Sequence, residues 1–213
     1  MMEFAPLQDA LADYGLRVSG GLRIEQSDGL PDWGSLLLIS PVDATFWTVF
    51  TQSAEAKDGR PDAVDRWSVR ILTELADMID GRAVFPFSGP PHWPFYEWAL
   101  RSGAAVSSPI NLLCDQDQGL FISYRGAIAV KGDAALTGCP PSPCTGCAAP
   151  CQTACPVDAF AADRYDVARC QTFLGTAAGA ECLNFGCHAR RACPGGAGLR
   201  PAEMSAYFMK AFL

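Results

Sequence analysis

The sequence lacks an excess of basic charge: 16 Lys and Arg stand against 23 Asp and Glu, for a formal net charge of −7. A nucleic-acid footprint needs a basic face to meet phosphates, so that function class is set aside. The chain also lacks any run approaching the ~18 apolar residues that span a bilayer, and its first residues show no basic stretch followed by an apolar one. A soluble, cytoplasmic protein without a membrane partner is the expectation. Disorder is excluded by what is present, since 49 % of the 213 residues are hydrophobic, enough for a real core.

The charge is unevenly spread. From Gly138 onward six Lys or Arg face five Asp or Glu, so residues 1–137 carry ten against eighteen, an acidic surplus of eight. The composition changes at the same place. After about residue 137 Cys, Pro, Gly and Ala dominate, large aliphatics become scarce, and nine of the ten cysteines occur. So few apolar side chains cannot organise some 75 residues alone. Bound inorganic groups can, because ligation free energy is folding free energy. In a reducing compartment a disulfide framework is not expected. The expected architecture is therefore α+β, with a mixed sheet-and-helix domain over 1–137 and a small metal-organised domain over 138–213.

Within the first part, Leu7, Ala10, Leu11 and Tyr14 share one helical face that ends at Gly15. Leu36 to Ile39 reads as a buried strand. Pro61 to Ile79 reads as a helix with an apolar stripe of Val64, Trp67, Ile71, Leu75 and Met78, stopped by Gly81. Ile110 to Cys114 and Leu120 to Val130 read as two strands of one hairpin joined by the polar turn 115–119. Behind Pro201, the residues Met204, Tyr207, Phe208, Ala211 and Phe212 predict a closing amphipathic helix.

The chemistry is concentrated in Cys144-Thr-Gly-Cys147-Ala-Ala-Pro-Cys151-Gln-Thr-Ala-Cys155-Pro156. Three cysteines on a tight loop can hold three irons of one cubane, while a fourth before proline serves a second cluster. The run closely resembles that of bacterial two-cluster ferredoxins, with one departure: three residues, not two, separate Cys147 from Cys151, a difference Pro150 can absorb in a turn. A second set comprises Cys170, Cys182, Cys187 and Cys193-Pro194. On this resemblance the first 4Fe-4S cluster takes Cys144, Cys147, Cys151 and Cys193, and the second takes Cys155, Cys170, Cys182 and Cys187. Cys114, at the end of an apolar strand, is read as a small buried hydrophobe, and Cys139 as an alternative ligand at most. Structural zinc is the competing reading, since paired cysteines also bind zinc tetrahedrally. Arg164, Arg169, Arg190, Arg191 and Arg200 suit the negative charge of thiolate-bound clusters.

The first part adds a segment dense in proline and aromatics, Phe85-Pro-Phe-Ser-Gly-Pro-Pro-His92-Trp93-Pro-Phe95, which fits a cofactor pocket, an interface or a packing corner. Such a segment, then Tyr124-Arg125-Gly126-Ala127, then a dicluster module is similar to epoxyqueuosine reductase, and the N-terminal features are distantly similar to CblC-type cobalamin-processing proteins. That resemblance implies a corrinoid in the N-terminal domain fed with electrons by the clusters, and Phe85, His92, Trp93 and Arg125 are its candidate pocket. Three functions stand as expectations: an electron carrier with a redox partner protein, a corrinoid-dependent or other cofactor-dependent reductase, and a zinc-stapled interaction protein.

Overall fold

The computed structural model describes residues 5–134, 140–160, 164–196, 198 and 200–213. Cys139 and the expected boundary near residue 137 lie outside the described residues. The protein is mixed α+β. Its chain divides into two compact units, and each is built from two stretches of sequence: residues 1–104 with 123–139, and residues 105–122 with 140–213. The segment 105–122 thus groups with the cysteine-rich part, whereas the sequence places it with the first.

In chain order the first unit begins with α1 (Ala5–Asp13), β1 (Leu16–Arg23), β2 (Ser35–Pro41), α2 (Asp43–Gln52), α3 (Ala54–Lys57) and α4 (Ala63–Asp77). It continues with β3 (Arg82–Val84) and α5 (Phe95–Arg101). The second unit supplies the short pair β4 (Ala105–Ser107) and β5 (Leu113–Asp115), after which β6 (Gly126–Val130) returns to the first. Helices α6 (Val167–Leu174), α7 (Ala180–Phe185), α8 (His188–Arg191) and α9 (Ala202–Ala211) complete the second unit.

The first unit is an antiparallel four-stranded sheet in the order β1-β2-β6-β3. Every residue of β2 and of β6 is buried. That explains why β2 reads as an unbroken apolar run: a strand covered on both faces has no polar side to show. Between α1 and β1 the chain reverses at Gly15, which takes the left-handed φ of 64° that a terminating glycine permits. Helix α4 buries Val64, Trp67, Ile71 and Leu75. The fifth member of the expected stripe, Met78, is 64 % exposed because the helix has ended at Asp77 and the chain is already turning. The indole of Trp67 meets the rings of Phe46, Phe50 and Tyr14 at centroid distances of 5.4, 6.1 and 6.2 Å, mostly edge to face.

The expected hairpin of 110–114 with 120–130 does not form. Strand β5 pairs with β4, with Val106 opposite Cys114, while β6 pairs with β2 and β3. The buried Asp115 carboxylate accepts the Gln118 N–H at 2.7 Å and turns the chain, and residues 120–125 carry no strand. The apolar content of 120–130 therefore reports burial of a loop followed by a central strand.

A buried carboxylate ties the first unit together. Asp28 accepts the Trp98 indole N–H at 2.8 Å and the Arg101 guanidinium at 2.7 Å, and the Glu25 N–H at 2.8 Å. Burial pushes its carboxyl up, but the Arg101, Glu25 and Trp98 bonds together outweigh this and hold it below the ordinary carboxylate range. An anion favoured in the folded state stabilises above its unfolded value, about 3.9 for Asp, and that contribution is lost as pH falls through the lowered one. Asp28→Asn is expected to destabilise the first unit by about 2–3 kcal/mol at neutral pH, the scale of hydrogen bonds to charged groups. In urea titrations the gap to the wild type should close in acid; a gap independent of pH would contradict the ionised pairing.

Candidate metal centre

The loop that carries the first three cysteines is shaped by local backbone chemistry. Residues 142–145 and 144–147 turn through the Thr145 N–H to Ser142 and Cys147 N–H to Cys144 bonds, at 3.0 and 3.2 Å. Ala149 then adopts a left-handed φ of 52°, and Pro150 opens a short 3-10 turn, Pro150–Gln152, that holds Cys151. This is how the extra residue between Cys147 and Cys151 is accommodated. The Ala149 N–H points at the Cys147 Sγ at 3.4 Å, and the Ala159 N–H at the Cys155 Sγ at 3.3 Å.

Cys193 joins the loop from the far end of the sequence, following α8 with its N–H on the Arg190 carbonyl at 3.2 Å. Cys144, Cys147, Cys151 and Cys193 line one cavity of about 430 Å³, together with Ser108, Cys114, Leu120 and Pro194. That is roughly ten times or more the ~30 Å³ share of a water molecule, so the space admits a body larger than one ion. The Ser108 hydroxyl is buried on this wall and finds no hydrogen-bond partner among the described residues. A buried donor in that state asks for an acceptor in the cavity.

The other four cysteines are linked pairwise. Cys170 on α6 lies within electrostatic reach of Cys187 and Cys155, and Cys182 on α7 within reach of Cys187 and Cys170. Burial pushes the thiols of Cys170, Cys182 and Cys151 up, and neighbouring thiols add to it. The Tyr165 phenol is raised by burial and by its hydrogen bond to Cys170. Its ring is stacked on Phe160 at 4.7 Å and on Phe212 at 6.1 Å. Among the described residues, no three His, Cys, Asp or Glu side chains are gathered tightly enough to hold a single metal ion.

The five arginines divide by role. Arg190 interacts electrostatically with Cys187, and Arg191 with Cys182 while pairing with Glu181 at 2.6 Å. Arg200 donates to the Phe121 carbonyl at 2.9 Å with its guanidinium 4.8 Å above the Phe121 ring, and Arg169 donates to the Val157 carbonyl at 3.2 Å. Arg164 is exposed.

Two residues of the site escaped the sequence. Cys114 is buried as a hydrophobe should be, at 1 % exposure, yet it lines the cavity and packs with Cys144, Cys151 and Cys193 around Ile110 and Leu120. Burial raises its thiol above the ordinary range, and the neighbouring Cys193 and Cys144 raise it further. Gly119 has a left-handed φ of 56°, and a Cβ there would stand 2.7 Å from the Gly196 nitrogen and 2.8 Å from the Cys193 Sγ. The two signals available were the position of Cys114 at a strand end and a Gly after a polar turn; neither points to a partner 79 residues away.

Of the four candidate pocket residues of the first unit, two line one groove. His92 and Trp93 line a groove of about 450 Å³ with Asp28, Gly29 and Ser88, and the His92 Nδ1 lies 3.2 Å from the Ser88 carbonyl. Phe85 instead stacks on Phe87 at 5.4 Å, and Arg125 pairs with Asp65 at 3.4 Å.

No protein-family model matches the chain, and no curated protein sequence matches it. Among the described residues no helix is long and apolar enough to cross a membrane.

Proposed function

We propose that this protein is an iron-sulfur electron carrier whose second unit is a bacterial-ferredoxin-like module for two 4Fe-4S clusters. The observation that carries the reading is the exchange of the two Cys-Pro cysteines. Cys193 lines the cavity of the Cys144, Cys147 and Cys151 loop, while Cys155 acts electrostatically on Cys170, which in turn interacts with Cys187 and Cys182. Interleaved sets of four thiols, each completed from the opposite half, are what cluster sharing requires. Two zinc sites would instead draw on neighbouring pairs, with each sulfur about 2.3 Å from one ion.

The residues present fit such groups. Cys144, Cys147, Cys151 and Cys193 would hold the first, and Cys155, Cys170, Cys182 and Cys187 the second. When bound, such clusters supply one-electron, outer-sphere redox chemistry. The chain's part is to aim donors at the sulfurs and to set their surroundings. The Ala149 and Ala159 N–H groups and the Tyr165 hydroxyl donate to ligand sulfurs, Ser108 offers a free donor, and Arg190 brings a cation beside Cys187. The acidic surplus of residues 1–137 suits a redox partner with a basic face, whose association would weaken with salt. A corrinoid-dependent reductase is the second reading, with the groove beside His92 and Trp93 as its candidate pocket.

Iron, acid-labile sulfide and zinc measured on anaerobically purified protein test the reading. About eight irons and eight sulfides per chain are expected for two cubanes; zinc without sulfide would sink it. Two variants probe the surroundings. Tyr165→Phe deletes a donor to Cys170 and should lower one of two reduction potentials, by on the order of tens of millivolts against a family range of roughly 1,150 mV. If a redox titration finds both couples unmoved, Tyr165 has no such part. Gly119→Ala strains a left-handed residue, at about 1 kcal/mol or more, and drives a methyl onto Cys193. The spectrum and potential of the first site should shift, and an unchanged spectrum and potential would show that Cys193 can move aside.

A further inference from the structure

The first site has one thiol more than a cubane has irons. We propose that Cys114 is a reserve ligand of that site, able to take the iron vacated when Cys144 or Cys193 is lost. The inference rests on the two-cluster reading and extends it to a residue outside the eight ligands.

Four observations converge. Cys114 lines the same cavity as Cys144, Cys147, Cys151 and Cys193. It is packed against Cys144 and Cys193 in one core, at 1 % exposure. Its backbone is fixed by strand pairing, Cys114 opposite Val106, so the sulfur is presented by a held element and not by a loop. And the cavity wall beside it carries the Ser108 hydroxyl, buried and without a partner among the described residues. A cysteine that served only to fill volume would need none of this nearness to two other thiols.

Charge explains why the fifth thiol is compatible with the intact site. Four thiolates already give an oxidised cubane about two negative charges, and a fifth anion in the same apolar space would be costly to bury. Cys114 accordingly remains a neutral S–H while all four ligands are in place. When Cys144 or Cys193 is removed, one iron has an open position. Cys114 then binds it through Sγ, an iron–sulfur bond forms, and the thiol proton leaves to solvent. No electron is transferred and no co-reactant is consumed. The step is a ligand replacement of the kind that metal binding to any thiol entails.

The test compares single and double variants of the full chain, reconstituted anaerobically with ferrous iron and sulfide. Cys193→Ala and Cys144→Ala are each expected to retain about eight irons. The doubles Cys114→Ala/Cys193→Ala and Cys114→Ala/Cys144→Ala should each lose about one iron, with the paramagnetic signal of an oxidised three-iron cluster appearing. The four irons of the second site, retained in the doubles, report that the unit is still folded. Should a double fail to fold, Cys114→Ser/Cys193→Ala offers an oxygen ligand in place of sulfur. Its first-site spectrum and potential should then differ from those of Cys193→Ala. The proposal is overturned if Cys193→Ala and Cys144→Ala lose the iron although Cys114 is present, or if serine at 114 leaves the Cys193→Ala spectrum and potential unchanged. Failure of the two-cluster reading itself would look different, as wild-type protein without sulfide.

Discussion

Stripping iron from the anaerobic protein with a chelator should unfold residues 140–213 while the four-stranded sheet of the first unit keeps its amide protection. The physical ground is the poverty of the apolar core in that stretch. Among its described residues the buried apolar side chains are Ala159, Ala189, Cys151, Cys182, Leu174 and Met204. Only Leu174 and Met204 are large, and the rest of the unit's large apolar core, Ile110, Leu120, Phe121 and Ile122, comes from residues 105–122; burying one such side chain contributes about 1.5–3 kcal/mol. Structural metal ligation supplies on the order of 10 kcal/mol, and that free energy is lost with the iron. Hydrogen exchange read by mass spectrometry, before and after chelation, separates the two units directly. Unchanged protection over 140–213 would mean that side-chain packing alone carries that unit.

The second large effect concerns the first unit and no metal. Trp67 is 1 % exposed and meets three rings, Tyr14, Phe46 and Phe50, from α1's end and from α2. Trp67→Ala leaves a cavity that backbone elements held by strand pairing cannot close, at a cost of about 3–5 kcal/mol. Set against a usual total of about 5–15 kcal/mol, the variant should sit near the edge of folding. Urea denaturation followed by circular dichroism would show a large drop in midpoint; a loss below about 1 kcal/mol would mean the neighbouring rings collapse into the space. Iron content of the soluble fraction is expected to hold, since the ligands lie in the other unit.

What the sequence showed was local. The stripe of α4, the doubly buried β2 and the glycine stop at Gly15 follow from periodicity and backbone freedom within a few residues. The cysteine run was equally plain, since its spacing lies within one loop. What it hid was non-local. The apolar run over 120–130 reads the same whether those residues pair with β5 or with β2 and β3, because an apolar run marks burial and not a neighbour. Cys114 looked like a strand-end hydrophobe because burial and proximity to Cys193 cannot be told apart in one dimension. The segment around His92 was singled out for its composition, yet Phe85 and Arg125 found other partners, Phe87 and Asp65.

The strand order has a consequence for synthesis and dissection. Strand β6 lies between β2 and β3, so the sheet cannot close until residues 126–130 have been made, after the whole of 105–122. A nascent chain released at residue 104 holds β1, β2 and β3 but has no strand to join the last of them to the others. Cutting the protein at its change of composition gives no cleaner pieces: the N-terminal fragment keeps β4 and β5, and the C-terminal fragment loses the Ser108, Cys114 and Leu120 wall of its own cavity. Either unit can be isolated only by rejoining sequence that the other interrupts.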